Sequence, residues 1–234
     1  IRIRDIQLRM AEGVPIGKVD EPIVRRLWWA ALETLQEDIL VPMGLAQGLW
    51  IASPLPALYE PRLLDRLNGW VWAPEALETL YNPYPLLLPP SRVRSINESN
   101  QTGVGSYIRL PLRDEDGHDP LLMIITPEVQ VALALQGPPG KRNLLMRSDQ
   151  ETFKDLLQIL DKRISEESPK QAYELREALA DLGDLQSNDA IQKMFWPLLA
   201  SKLASTGASL TLQTFPEHKP GKNQETDSRS DLTL

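Results

Sequence analysis

Leu121-Leu122-Met123-Ile124-Ile125 is followed by Val129-Gln130-Val131-Ala132-Leu133-Ala134-Leu135, and then by Asn143-Leu144-Leu145-Met146-Arg147. The first run is short and apolar, which predicts a buried strand. The second reads as another strand or a short helix. The third reads as a strand, and Gly137-Pro138-Pro139-Gly140 supplies the sharp loop before it. Ser148-Asp149-Gln150-Glu151 then forms a helix-capping signature. Phe153, Leu156, Leu157, Leu160 and Ile164 fall on one stripe of the helix that follows. Just upstream, Tyr107-Ile108-Arg109-Leu110 alternates and runs into the turn Asp114-Glu115-Asp116-Gly117.

Moving towards the N-terminus, residues 82–105 read as an irregular surface excursion carrying Pro83, Pro85, Pro89 and Pro90. Pro74 starts a short helix through Leu80. Trp70-Val71-Trp72 is a strand with both indoles on one face. Pro61 to Leu67 reads as a helix closed by Asn68-Gly69, and Gly48-Leu49-Trp50-Ile51-Ala52 as a short strand. Asp20-Glu21-Pro22 opens a helix carrying Ile23, Leu27, Ala30, Ala31, Leu35 and Ile39 at helical spacing. Arg2, Arg4 and Arg9 read as the solvated face of an N-terminal strand. Towards the C-terminus, Ser168-Pro169 caps a helix to Leu182, and Asn188-Asp189 caps another from Ala190 to Ala204. Pro197 predicts a kink or break in it. Ser209 to Phe215 alternates like a final strand, and residues 216–234 are polar and linker-like.

The fold expectation is therefore α+β: a mixed or antiparallel sheet flanked by helices, with a helical C-terminal part. The division expected is an α+β unit over 1–166, a helical extension over 167–215 and a flexible linker over 216–234. Both ends read as cut from a longer chain. The chain has 234 residues, 42% hydrophobic and 24% charged, with a net charge of −7. The pI is near 5.0 and no basic stripe is present, which argues against a nucleic-acid partner. There is no cysteine, which excludes disulfides, thiolate catalysis and cysteine-bound zinc. No apolar run approaches the roughly 20 residues of a membrane span, and the expected location is cytoplasmic.

Catalytic chemistry is hard to place. His118 lies in an acidic turn and His218 in the polar tail, neither positioned for proton transfer. Asp114, Glu115, Asp116 and Asp119 lack the spacing of a calcium loop and read as a solvated acidic turn. Gly103-Val104-Gly105 precedes a strand and lacks a third glycine, so it is no dinucleotide fingerprint. Gly137 to Arg142 lacks the phosphate-loop pattern. No cofactor, metal or catalytic residue is expected. The candidate ligand or partner contacts are the adjacent Trp28 and Trp29, of which one belongs to the core and the other to a surface or interface, and the strand pair Trp70 and Trp72.

The order from Tyr107 to Ile164 resembles the second half of a GAF-like sensory domain, with Ser148 to Leu157 similar to its closing helix. Leu27-Trp28-Trp29, Leu67-Asn68-Gly69-Trp70-Val71-Trp72 and Phe195-Trp196-Pro197-Leu198-Leu199 together look like the N-terminal region of cyanobacterial-type sensor histidine kinases. That resemblance implies a sensory or regulatory input domain of a two-component system. Its partners would be a kinase domain further along the same chain, a response regulator reached through it, and a second copy in a homodimer. The kinase motifs themselves are not in this sequence. The alternative is a free-standing scaffold or protein-interaction domain.

Overall fold

The computed structural model describes residues 1–74, 107–187 and 189–214. A six-stranded mixed sheet runs through the molecule, built from β1 (Gly48–Ser53), β2 (Leu67–Ala73), β3 (Tyr107–Pro111), β4 (Leu121–Ile125), β5 (Gln130–Gln136) and β6 (Asn143–Arg147). Their spatial order is β3-β2-β1-β4-β5-β6. β1, β2 and β3 are parallel, whereas β4, β5 and β6 form an antiparallel meander joined to β1. The expected α+β class holds, and the sheet is mixed.

Central strands need apolar residues on both faces. β1 and β4 are buried at every position, as their unbroken apolar runs require. Val131, Leu133 and Leu135 face one side of β5, and Ala132 and Ala134 the other. That alternation makes 130–136 a strand, not a helix.

Helices cover both faces. On one side lie α1 (Arg4–Met10), α4 (Gln150–Glu167) and α5 (Pro169–Leu182). They bury Ile3, Ile6, Met10, Phe153, Leu156, Leu160 and Leu175 against Ile51, Trp70, Trp72 and Met123. The small Ala132 and Ala134 leave room there for α1. We call this the α4 face. On the other side lie α2 (Glu21–Glu33) and α6 (Ala190–Thr214). They bury Trp28, Leu32, Phe195 and Leu199 against Trp50, Val71 and Leu133. We call this the α6 face. The four-residue α3 (Pro61–Leu64) sits at the edge of that core.

The helix starts follow capping chemistry. The Asp149 carboxylate accepts the Thr152 N–H at 2.8 Å to open α4, and the Ser168 hydroxyl accepts the Gln171 N–H at 3.3 Å to open α5. α2 widens into a π-helical stretch over Thr34–Leu40. The wider turns bring Gln36 inward beside Leu35 and Ile39, and its amide binds the Ala57 carbonyl at 3.0 Å and the Tyr59 N–H at 3.0 Å.

Four expectations change. The arginine-rich N-terminus is the helix α1, not a strand, because Ile3, Ile6 and Met10 are spaced to bury one helical stripe. Asn68-Gly69 lies inside β2 instead of closing a helix. α6 continues past Pro197 and through the stretch expected as a last strand, as far as Thr214. Asp116 is buried rather than solvated, at 2% exposure. The expected helix over 75–80, the excursion over 82–105 and the linker over 216–234 lie outside the described residues.

Candidate functional site

Three polar arrangements and one cleft remain after the core is accounted for. The first arrangement caps the C-terminal ends of β2 and β3 on the α4 face. Arg163, on the apolar stripe of α4, is fully buried and uses all five of its N–H groups. Its Nη1 and Nη2 donate to the two Asp116 carboxylate oxygens at 2.5 and 2.7 Å. Its Nε donates to Glu167 Oε1 at 2.6 Å, and the remaining N–H groups reach the Ile1 and Pro111 carbonyls at 2.9 and 3.3 Å. Asp116 also accepts the Ile3 and Arg113 backbone N–H groups, both at 2.7 Å. Trp72 Nε1 donates to Glu167 Oε2 at 2.7 Å. Burial pushes the Asp116 carboxyl up. The Arg163 guanidinium and the two backbone donors outweigh it and hold the group below the usual carboxylate range. Every N–H of the guanidinium is committed within the fold, so this cluster ties α4 to the N-terminus, to the end of β3 and to the turn at Asp116.

The second arrangement joins Arg142, at the start of β6, to Asp119 and to Glu21 at the start of α2. Burial raises the Asp119 carboxyl above its usual range, and Arg142 only partly offsets this. In the third, Gln130 of β5 holds the connection between α5 and α6. Its amide donates to the Ser148 and Gln186 carbonyls at 2.9 and 2.5 Å, and its oxygen accepts the Gln186 N–H at 2.9 Å.

The cleft has a volume of about 430 Å³ and lies between the β2–β3 edge and α5. Trp70, Tyr107, Ile108 and Glu174 are among its walls. Trp70 is fixed by its Nε1 donating to Gln171 Oε1 at 3.2 Å, one helical turn before Glu174. Close approach at this corner depends on Gly69, whose partner across the parallel pair is Trp50. A Cβ at residue 69 would lie 2.3 Å from the Trp50 ring. Trp50 in turn meets Tyr107 edge-on, with ring centroids 5.7 Å apart.

The structure separates the four predicted tryptophans. Trp70 and Trp72 share the α4 face as expected, Trp70 lining the cleft and Trp72 tied to Glu167. Trp28 is buried in the α6-face core, and Trp29 is half-buried against it. Sequence reasoning missed Arg163, Asp116, Glu167 and Glu174. The signal for the first was present: Arg163 shares a stripe with Phe153, Leu156 and Leu160, where a charge must find partners, and Glu167 stands four residues on.

One further surface stands out. α6 buries Ile191, Phe195 and Leu199, while Met194 and Leu198 on one flank of that stripe and Trp196 on the other are about 40% exposed, at 44%, 39% and 39%. Among the described residues, no group of His, Asp and Glu side chains is arranged to hold a metal ion. No described helix is long and apolar enough to cross a membrane.

No curated protein and no solved structure matches the chain. A family model described as a domain of unknown function, DUF8628, matches residues 4–208, and the chain belongs to that family.

Proposed function

We propose that this chain is a non-catalytic sensory or regulatory input domain, of the kind that feeds a two-component histidine kinase, and that its output element is α6. The observation that supports the reading is the apolar flank of α6 carried by Met194 and Leu198, one turn apart and both part-exposed. Ile191, Phe195 and Leu199 already dock the helix, and Met194 and Leu198 beside them leave 44% and 39% of their surface open to solvent. Such a side suits the apolar seam of a neighbouring helix, here in a kinase domain or a second copy. A signal that favours one placement of α6 would then bias the kinase by its differential affinity for two states.

The test is Met194→Glu with Leu198→Glu in the longest natural chain that carries the domain. Both side chains are exposed, so the melting temperature should barely move. The expected result is a severalfold change in ATP-dependent autophosphorylation. An unchanged rate, or no phosphate incorporated by the unaltered chain, overturns the kinase-input reading. The exposed Trp196 also favours a second reading, a free-standing interaction domain. That reading gains if no phosphorylation occurs and the same variant loses a bound protein partner.

A further inference from the structure

We infer that the π-helical stretch Thr34–Leu40 is a two-state joint: rewound as an α-helix, it lets go of the loop after β1 and of α6 together. The inference deepens the input-domain reading by naming the internal route to α6. It rests on that reading only for the claim that the joint alters output.

The residues of the stretch do not themselves ask for this geometry. Thr-Leu-Gln-Glu-Asp-Ile-Leu contains neither Gly nor Pro, and Leu, Gln and Glu are good α-helix formers. A π-helix is rare and mostly limited to single turns, yet here it fills the last seven residues of a helix that starts at Glu21. Its closing bond runs from the Val41 N–H to the Gln36 carbonyl at 3.0 Å, five residues back instead of four. Burial explains the choice. In an α-helix, at roughly 100° per residue, Thr34, Leu35, Gln36, Ile39 and Leu40 would spread over about 240° of the circumference. The wider turn gathers all five on one side, and each is at most 3% exposed. Local preference therefore points to α and tertiary packing to π, an opposition that brings two arrangements of one segment close in free energy.

Two contacts hold the π form, and they lead to different parts of the molecule. The Gln36 amide donates to the Ala57 carbonyl at 3.0 Å and accepts the Tyr59 and Glu60 N–H groups at 3.0 and 3.3 Å. It thereby fastens the loop between β1 and α3. Asp38, on the outer side of the same stretch, lies 3.0 Å from Lys202 of α6, and Glu33, just before the stretch, lies 3.9 Å from the same ammonium. Rewinding to four-residue bonds tightens each turn, so positions after Glu33 swing progressively round the axis. Gln36 then leaves the loop and Asp38 leaves Lys202, while Glu33 stays in place. A disturbance of the loop after β1 thus reaches α6 through a single change of winding.

The experiment uses the full chain, isotopically labelled for NMR. Scalar coupling across the hydrogen bond from the Val41 N–H to the Gln36 carbonyl reads the π form, and relaxation dispersion reads its exchange with a minor state. The expected result is one minor state, with a single rate and population, at the Val41, Tyr59 and Lys202 amides. Asp38→Asn, altering a side chain that is 41% exposed, should raise that population severalfold with the core intact. In Gln36→Met the Val41 amide should couple to the Glu37 carbonyl, four residues back. Absence of dispersion at these amides, different rates in the loop and in α6, or an unchanged population in Asp38→Asn overturns the inference. So does a Val41 amide still coupled to residue 36 in Gln36→Met; if that variant does not fold, Asp38→Asn decides alone. If the joint shows one state while the Met194/Leu198 variant still alters phosphorylation, the joint falls and the input-domain reading stands. If the two states interconvert while that variant alters nothing, the joint stands and the input-domain reading falls.

Discussion

The two faces of the sheet are held by different physics. On the α4 face, buried polar groups are locked to named partners. Gln7 of α1 binds the Asp119 carbonyl at 2.8 Å, Gln130 binds the Gln186 backbone, and Arg163 is saturated. On the α6 face, Gln36 of the π-helical stretch is also bound, to the Ala57 and Tyr59 backbone, but the indole N–H groups of Trp28 and Trp50 are buried with no hydrogen-bond partner. α6 is retained there by apolar side chains and by Lys202, which lies 3.0 Å from Asp38 and 3.9 Å from Glu33. Hydrogen bonds fix register, whereas apolar contact is non-directional and tolerates sliding. The α4 face thus behaves as the frame. The α6 face can shift its outer helix without stranding a buried charge.

The strongest way to break this comparison is Asp116→Ala. It leaves the buried Arg163 guanidinium with Glu167 alone as counter-charge and strands the Ile3 and Arg113 N–H donors, which costs about 3–5 kcal/mol, measured by urea denaturation. A loss below 1 kcal/mol would show that the frame does not depend on this pair. Next is Gly69→Val. The added carbons collide with the rigid, fully buried Trp50 ring, and overpacking of this kind costs roughly 1–3 kcal/mol. A neutral result would mean that the α6-face core yields more readily than its burial suggests.

Acid titration separates two carboxylates of opposite sign. Asp116 has a lower pKa folded than its ordinary 3.8, so its stabilisation is present above 3.8 and lost as pH falls through the folded value. Asp119 is raised above 3.8, so its stabilising share exists below 3.8 and is lost as pH rises through the folded value. Solvent screening limits its weight, since 34% of the side chain is exposed. Comparing urea midpoints with pH, Asp119→Asn should remove a small fall in stability above pH 3.8 and leave the acid loss from Asp116 intact. An identical profile for the variant and the unaltered chain would count against the burial of Asp119. The smallest effect is expected from Trp196→Ser, which should alter the stability of the isolated domain by no more than about 0.5 kcal/mol. A larger loss in the thermal midpoint would mean that Trp196 serves the domain's own core, through its edge-on contact with Phe195, and not a partner.

The strands were legible because their apolar runs are short and bounded: Leu121 to Ile125, Asn143 to Arg147 and the Trp70–Trp72 pair each read as they fold. The capping at Asp149 and Ser168 was equally plain. Strand order was not legible, because periodicity carries no information about which strands pair or whether they run parallel. The N-terminal helix was obscured by its arginines, which alternate with apolar residues over the first few positions and mimic a strand until Ile6 and Met10 are counted with Ile3. Ser209 to Phe215 alternates too, yet Ser209 to Thr214 continue a helix already running from Ala190. Asp116 was unreadable as a core residue, since its partner Arg163 stands 47 positions away. The cleft was half legible: Trp70 was marked, but Tyr107 and Glu174 come from segments that only the fold brings beside it.

The Gln130–Gln186 pairing also supplies a clock. The Gln186 amide belongs to a connection between helices, where backbone N–H groups ordinarily trade their hydrogen with water quickly. Held at 2.9 Å by a buried side chain of β5, it exchanges only when that connection lifts from the sheet. Its exchange rate therefore counts how often the joint leading into α6 comes undone.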